Sequence, residues 1–447
     1  MTNMRKWCAE NNIDEVECVV ADINGMARGK VIPTEKFLQG AEKDTHRLPE
    51  SVFVQTVTGD YPADDVSVVP VTDIDMTMRA DPQTIRPVPW YDNPTAQVIC
   101  DCYYADNAPV DIAPRQILKN AIEKFSDRGW QPIVAPELEF YFVENTSDPD
   151  TPLRPPVGQS GRAEAGRQSF GIDAVSEFDP VINDIYDYCE LQGIDADTVA
   201  HELGAAQIEI NLMHGDALSL ADQTFMFKRT VRQTAIQHGM LATFMARPMQ
   251  NEPGSSMHIH QSLLDIETGE NVFCNDAGEE SSIFRHFLGG LQKYGPAAIL
   301  LFAPNVNSYR RFFYPEAPIN VLWGRDNRSC GLRVPNSSPR NRRVETRLIG
   351  ADANPYLAIA ASLFCGYLGI SEQLEPTAEE TGIAYGRGPK IPPYLMQAIV
   401  ALEQSDALRD IFGDRFIRAF CETKRVEFEN YYTVVSSWER EHLLLHV

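Results

Sequence analysis

The sequence predicts an α+β protein: a small strand-rich N-terminal domain, then a larger domain that mixes strands with helices. Three observations carry this. Between residue 14 and about residue 104, β-branched runs recur and helical periodicity is weak. From Pro114, apolar Ile117, Leu118, Ala121, Ile122 and Phe125 fall on one helical face. Directly afterwards, residues 135–143 (APELEFYFV) alternate, with Leu138, Phe140 and Phe142 set against Glu137, Glu139 and Tyr141. A chain of 447 residues also exceeds one ordinary core, which favours two domains.

Taken in order, residues 16–23 read as a strand that runs into a turn at Asn24-Gly25, and residues 31–33 restart an extended segment. Further strand-like runs cover 51–58, 66–71 and 96–104. The domain boundary falls near 105–112. Pro114 opens a helix that Gly129 closes, because proline suits a first helical position and glycine the exit. The strand at 135–143 follows. Residues 145–170, rich in proline, glycine and polar groups, read as a long loop over a site or at a subunit contact. Residues 178–191 read as a helix, and 199–212 as two strands broken at Gly204. Asp216 is placed to cap a long helix ending near Gly239. Residues 242–245 and 255–263 read as strands, and 355–373 and the chain from Pro393 as helices.

Composition narrows the function. The chain is 43% hydrophobic and has no apolar run long enough to span a bilayer, so no membrane partner is expected. Its N-terminus lacks the apolar core of a secretory leader. Nine cysteines are scattered without a CxxC pair. These features predict a reduced, cytoplasmic protein without a thiolate zinc site. A net charge of −24 repels a polyanion, so nucleic acid is not expected as a partner, and a cationic substrate is attracted.

Three segments could share one polar face. Glu137 and Glu139 sit on the first, Glu209 on 207–212 opposite Ile208 and Ile210, and His258 and His260 on the third, alternating with Met257 and Ile259. Glu202 lies just before Gly204. Each segment alone is most simply an amphipathic strand with a solvated face. If the three are neighbours in a sheet, the crowded carboxylates need a cation, and oxygen-rich ligands with one or two nitrogens suit Mg²⁺ or Mn²⁺. A second constellation is basic. Nine arginines (310, 311, 325, 328, 333, 340, 342, 343 and 347) face only Glu316, Asp326 and Glu345 in the same stretch. They fit either structural ion pairs or a site for phosphate and carboxylate, which arginine grips in a bidentate fashion. Residues 25–30 (GMARGK) are one residue short of a phosphate-binding P-loop, and no GxGxxG follows a strand.

Seven segments in order, PELEFY, HELGAAQIEIN, PGSSMHIHQS, NSYRRF, NRSCGLRVP, RRVETR and ADANPYL, resemble the glutamine synthetase family, type I branch. The resemblance covers nearly the whole chain. It implies a β-grasp N-terminal domain over 1–107 and a catalytic domain over 108–447. It implies two to three Mg²⁺ (or Mn²⁺) ions per site, with Glu139, Glu202 and Glu209 holding one and Glu137, His258 and Glu345 another. Asp197, His260, Ser262, Arg333 and Arg340 match positions that bind ATP. Gly254, Arg311, Arg328 and Arg347 match positions that hold glutamate and the transferred phosphate. Glu316, with Arg328, matches the catalytic pair and is the carboxylate that takes a proton from the attacking amine. The partners implied are glutamate, ATP and an amine, in a homo-oligomer of two hexameric rings.

Three departures bear on the amine. Residues 49–62 lack the FDGSS-like segment that helps bind ammonium, Pro253 replaces the family's usual asparagine, and no adenylylation loop is recognisable over 385–394. The wording of DINGMARGKVIP, ATFMARP and APNVNSYRRF is similar to the branch of the family that ligates glutamate to putrescine and other polyamines. A monoamine ligase of the methylamine or ethanolamine type and ordinary glutamine synthesis are alternatives. A catalytically silent scaffold is the alternative of another class.

Overall fold

The computed structural model describes residues 2–63, 66–70, 72–314, 317–388 and 391–447. It is an α+β structure built on two sheets. The first has six strands: β1 (Glu15–Ala21), β2 (Ala27–Pro33), β3 (Arg47–Pro49), β4 (Asp75–Ala80), β5 (Arg86–Pro87) and β6 (Thr95–Tyr103). The order is β2-β1-β6-β4-β3, with β5 also on β6, and β1 and β6 run parallel. Helices α1 (Thr2–Glu10) and α2 (Thr34–Glu42) belong to this part, and α2 packs on the β1–β2 hairpin. The hairpin turn is fixed by buried Asp22, whose Oδ1 accepts from the backbone N–H of Asn24 and of Met26, both at 2.9 Å. The GMARGK stretch is thus the turn and second strand of a hairpin.

Two expected strands are absent. Residues 50–54 form a 3₁₀ turn instead, because it buries Glu50, Phe53 and Val54 together, and Glu50 is held by Arg415 at 2.8 Å. Residues 66–70 are turns and bends whose Val69 is buried and whose Val68 carbonyl accepts from Arg415. Val71 lies outside the described residues.

The second sheet has nine strands: β7 (Trp130–Glu144), β8 (Ala196–His201), β9 (Gln207–Leu212), β10 (Gly215–Asp216), β11 (Met240–Thr243), β12 (Met257–Asp265), β13 (Trp323–Arg325), β14 (Leu332–Val334) and β15 (Val344–Thr346). Its order is β13-β14-β15-β12-β7-β9-β8, with β10 and β11 also on β7. Around it lie α3 (Pro114–Ser126), α4 (Ile172–Ser176), α5 (Asp179–Gln192), α6 (Ala217–Gln237), α7 (Ser282–Phe302), α8 (Val306–Arg311) and α9 (Pro355–Glu372). The chain ends in α10 (Leu395–Glu403), α11 (Asp406–Phe412), α12 (Asp414–Tyr432) and α13 (Ser437–Leu443). No helix among the described residues is long and apolar enough to cross a membrane.

The alternation in β7 decides which way the sheet faces. Leu138, Phe140 and Phe142 are fully buried; Phe140 packs on Phe142, Phe227 and Phe244, and Phe142 on Phe178. Helices α3 and α6 cover this apolar side. The glutamates of β7 are thereby turned to the other side. Asp216 caps α6 as the sequence predicts, accepting from the N–H groups of Leu218 and Ser219.

Beneath the sheet, α6 carries a buried cation. Lys228 donates to the carbonyl of Ala353 at 2.7 Å and has no carboxylate within ion-pair range among the described residues. Burial pulls its pKa down from 10.5 to about 7. Between these values the unfolded chain binds the extra proton, so this group makes stability rise with pH from about 7 to 10.5; below 7 its penalty is present in full. Lys228→Met should therefore gain on the parent more at pH 6 than at pH 9, read as the difference in melting temperature. A difference equal at both pH values would mean that the amine does not titrate in this range.

Candidate active site

The register of the second sheet assembles the polar face. Glu137 on β7 lies opposite His258 on β12, and Glu139 lies opposite Glu209 on β9. His260 lies opposite Glu345 on β15, which itself faces Arg333 on β14. Residues directly opposite in a ladder share a face. Five strands thus present four carboxylates, two imidazoles and a guanidinium together, and the turn after β8 adds Glu202.

The carboxylates are crowded and largely dry. Glu139 is 7% exposed and Glu345 is fully buried. Burial, then the charges of Glu202 and Glu209, drive the Glu139 pKa well above the ordinary value. Burial, then Glu137 and Glu202, push Glu209 up to about 8, and burial also raises Glu202. Burial opposes ionisation of Glu137 as well, but hydrogen bonds from His258 and His260 hold it far below the usual range. Glu345 falls to about 2: burial raises it, and the Arg347 charge overcomes that. His258 falls to about 4 through burial and Arg347, so its imidazole is neutral and able to ligate.

His260 approaches Glu137 at 2.9 Å through Nε2, while its Nδ1 accepts from Arg343 at 3.2 Å. The Nε2 proton therefore points at Glu137. The Nδ1 of His258 lies 3.5 Å from Glu137 and 3.8 Å from Glu345, and its Nε2 lies 3.9 Å from Glu139. Two triads offer one ligand atom each within 4.8 Å of one another: Glu137, Glu209 and His258, and Glu137, His260 and Glu345. These cut across the two sets the resemblance implies. Glu139 stands outside both, because its Oε2 accepts from the Ser256 N–H at 2.9 Å and from Gln207 at 3.2 Å. The donor set of carboxylates and neutral imidazole, with like charges forced together, fits a hard divalent cation.

Next to this face is a cleft of about 450 Å³ lined by Glu137, Asp197, His260, Ser262, Arg340 and Arg343, among others. Four of the five residues matched to ATP positions therefore meet in one cavity. The fifth, Arg333, donates to Glu345 at 2.7 Å. The Nε atoms of Arg311, Arg333 and Arg347 are buried without a hydrogen-bond partner, as suits a place for an anion. Arg311 also donates to the Ser256 hydroxyl at 3.0 Å, and Arg347 pairs with Glu345. Arg328 is exposed, and its charge lowers Glu202 and Glu209 from the open side. Gly254 lies where a Cβ would come within 2.4 Å of the Arg311 stem, so the bare backbone lets that arginine reach the face. Glu316 lies outside the described residues. Of the other arginines, Arg325 and Arg342 are structural: they share Glu280, and Arg325 also holds Glu379.

Sequence reasoning misses several residues at the face. Gln207 stands two residues from Glu209, and that alternation is the signal that could find it; the alternation in 135–143 already sets Tyr141 beside Glu139, but gives it no role. Gln207 bridges Glu139 and the Gly254 carbonyl, and the Tyr141 hydroxyl donates to the Pro253 carbonyl at 2.9 Å. Gly204 leaves room for that hydroxyl, which a Cβ would meet at 1.9 Å. Glu164 has no signal in sequence. It ties the loop at 145–170 to the turn bearing Glu202, at 3.0 Å from His201 Nε2 and 2.6 Å from the Ala206 N–H. Arg167 of the same loop donates to Tyr314 and to the Asn251 carbonyl. The loop is thus tied to the turn that bears Glu202 and to the segments of Asn251 and Tyr314. The 49–62 stretch instead bonds to Glu427 and Asn430 of α12.

The family described as glutamine synthetase, catalytic domain, matches residues 111–443. Gamma-glutamylputrescine synthetase PuuA of Escherichia coli K12 is 35% identical, covering 97% of this chain and 92% of that protein. Glutamate–isopropylamine ligase of a Pseudomonas species is 32% identical, covering 98% and 96%. The solved structure of GmaS without ligand superposes with a TM-score of 0.85 at 26% identity, covering 100% of both chains. The chain is an ATP-dependent ligase of the kind that joins glutamate to an amine. It belongs to the glutamine synthetase family.

Proposed function

We propose that this ligase joins the γ-carboxylate of glutamate to a polyamine, putrescine first among them. The observation that carries the choice of amine is the likeness to the putrescine ligase along 97% of the chain, at 35% identity. The absence of an ammonium-binding FDGSS-like segment from residues 49–62 supports it.

In this reading Asp197, His260, Ser262, Arg333 and Arg340 hold ATP in the cleft. Glu139, Glu202 and Glu209 hold one divalent cation and Glu137, His258 and Glu345 another. When bound, such cations screen phosphate charge and orient the terminal phosphate. Gly254, Arg311 and Arg347 hold glutamate, and Arg328 sits where charge builds on the transferred phosphoryl group. A γ-carboxylate oxygen attacks the terminal phosphorus of ATP, and ADP leaves. The amine nitrogen then attacks the acyl carbon of γ-glutamyl phosphate, and inorganic phosphate leaves. The nitrogen must shed a proton to form the amide, and Glu316 accepts it. Residues 145–170, latched by Glu164 and Arg167, keep water from the acyl phosphate. In a double ring of hexamers, residues 49–62 of a neighbouring subunit would complete the amine pocket.

The test follows ADP release with glutamate, Mg²⁺ or Mn²⁺, and ammonia, methylamine, ethanolamine, putrescine or spermidine in turn. Putrescine is expected to give the highest kcat/KM. Ammonia turning over as well as putrescine would end the polyamine reading. No ADP with any amine would leave the silent scaffold as the better account.

A further inference from the structure

A second cavity, of about 410 Å³, lies on the seam between the two sheets' domains and shares no lining residue with the cleft beside the carboxylate face. Its walls come from β5 and β6 on one side and from the end of α5 and the start of α6 on the other. Three of its groups lack what their burial calls for. Gln97 is 1% exposed and Gln192 3% exposed, and the amide nitrogen of each is buried without a hydrogen-bond partner. The Gln97 orientation is not free to reverse, because the guanidinium that meets its oxygen can only donate. The Gln97 carbonyl oxygen accepts from Arg229 at 2.9 Å, and the Gln192 carbonyl oxygen accepts from Thr230 at 2.8 Å. Gln97 must therefore offer its N–H₂ elsewhere, and Gln192 does so in the orientation in which its oxygen takes the Thr230 proton.

The third group is Arg86, which lies opposite Gln97 in the β5–β6 ladder. It donates through one nitrogen to the carbonyls of Gln83 and Ile85, and it forms no ion pair among the described residues. Burial lowers its pKa, as expected of a guanidinium without a counter-ion. The carboxylates lining the cavity are already engaged. Asp81 and Asp222 are held by Arg115, and Asp216 caps α6. In a chain of net charge −24, an arginine left without a carboxylate beside two orphaned amide donors stands out. A buried donor without an acceptor is costly, because it loses its hydration and gains no bond in exchange.

We propose that this seam cavity binds a small carboxylate of amino-acid size, with Arg86 gripping the carboxylate and the Gln97 and Gln192 amides donating to it. Such a ligand would bridge the N-terminal sheet to α5 and α6. The site is separate from the ligase chemistry, and its failure would leave the proposed function untouched.

Succinate, L-alanine and L-glutamine are titrated calorimetrically into the full chain, into Arg86→Met and Gln192→Leu, and into Arg347→Gln as a variant of the other site. At least one carboxylate is expected to bind the parent and Arg347→Gln alike, and at least tenfold more weakly both Arg86→Met and Gln192→Leu. Circular dichroism checks that each variant folds, and Gln192→Leu carries the test if Arg86→Met does not. Absence of binding by all three carboxylates, or binding indifferent to both seam variants, would mean that the cavity holds water only and would overturn the proposal.

Discussion

Glu139→Gln is expected to lower ADP release by at least about 100-fold while leaving the chain folded and no less stable. That factor is the upper end of what losing a supporting partner of a metal ligand costs, and a ligand should cost more. Glutamine keeps the shape and an acceptor for the Ser256 N–H, so the β7–β12 contact survives. It removes a carboxylate whose pKa burial and the charges of Glu202 and Glu209 drive well above the ordinary value, a conflict the fold tolerates only because the site needs it. The check has two parts. Turnover is compared with the parent, and melting temperature is measured with and without added Mn²⁺. The parent should be stabilised by the metal and the variant much less so. Near-normal turnover, or an undiminished metal-induced shift, would remove Glu139 from the set that holds the cation.

The polar face is legible in the sequence because strands have a period of two. Glu137 and Glu139 must share a side, and Leu138, Phe140 and Phe142 show which side is core. The same reasoning holds for Glu209 and for the His258–His260 pair. Sequence does not supply register, because ladder pairing joins residues far apart in the chain. Glu139 meets Glu209 and Glu137 meets His258 only through the antiparallel pairing around β7. The segments whose structure differs from expectation have the same origin. Residues 51–58 carry a strand-like composition, yet Glu50 is drawn inward by Arg415, 365 positions away, and a 3₁₀ turn satisfies that contact. Glu164 is invisible in sequence for a similar reason: a lone glutamate in a polar loop gives no hint that His201 and the Ala206 N–H await it. Helix α7 and strands β13 to β15 are not legible either. The helix carries Gly289, Gly290, Gly295 and Pro296 in its interior, residues that ordinarily mark a break, and the strands are three residues each, too short for alternation to register.

Arg115→Met should destabilise the protein by about 3–5 kcal/mol, the usual cost of stripping one partner from a buried ion pair. Arg115 is 6% exposed and gathers acids from three elements. It grips both oxygens of Asp222 on α6, at 2.9 and 2.8 Å, and donates to Asp101 of β6 and to Asp81 just after β4. Asp222 also accepts from the Tyr356 hydroxyl of α9 at 2.7 Å. One guanidinium on α3 thus joins the N-terminal sheet to the helices beneath the catalytic sheet. Methionine keeps the aliphatic stem of the side chain and its packing, so the loss reports mainly the missing guanidinium charge and its hydrogen bonds. Asp222 is then left buried beside Asp81 with only a hydroxyl to answer it. Burial already raises its pKa even with Arg115 in place. The double variant Arg115→Met/Asp222→Asn removes that stranded charge and should recover about 1–3 kcal/mol, a coupling expected of residues in direct contact. Urea unfolding midpoints of the parent, the single variant and the double variant decide the matter. A single variant within about 1 kcal/mol of the parent, the scale of an exposed pair, would show that the seam does not depend on this arginine.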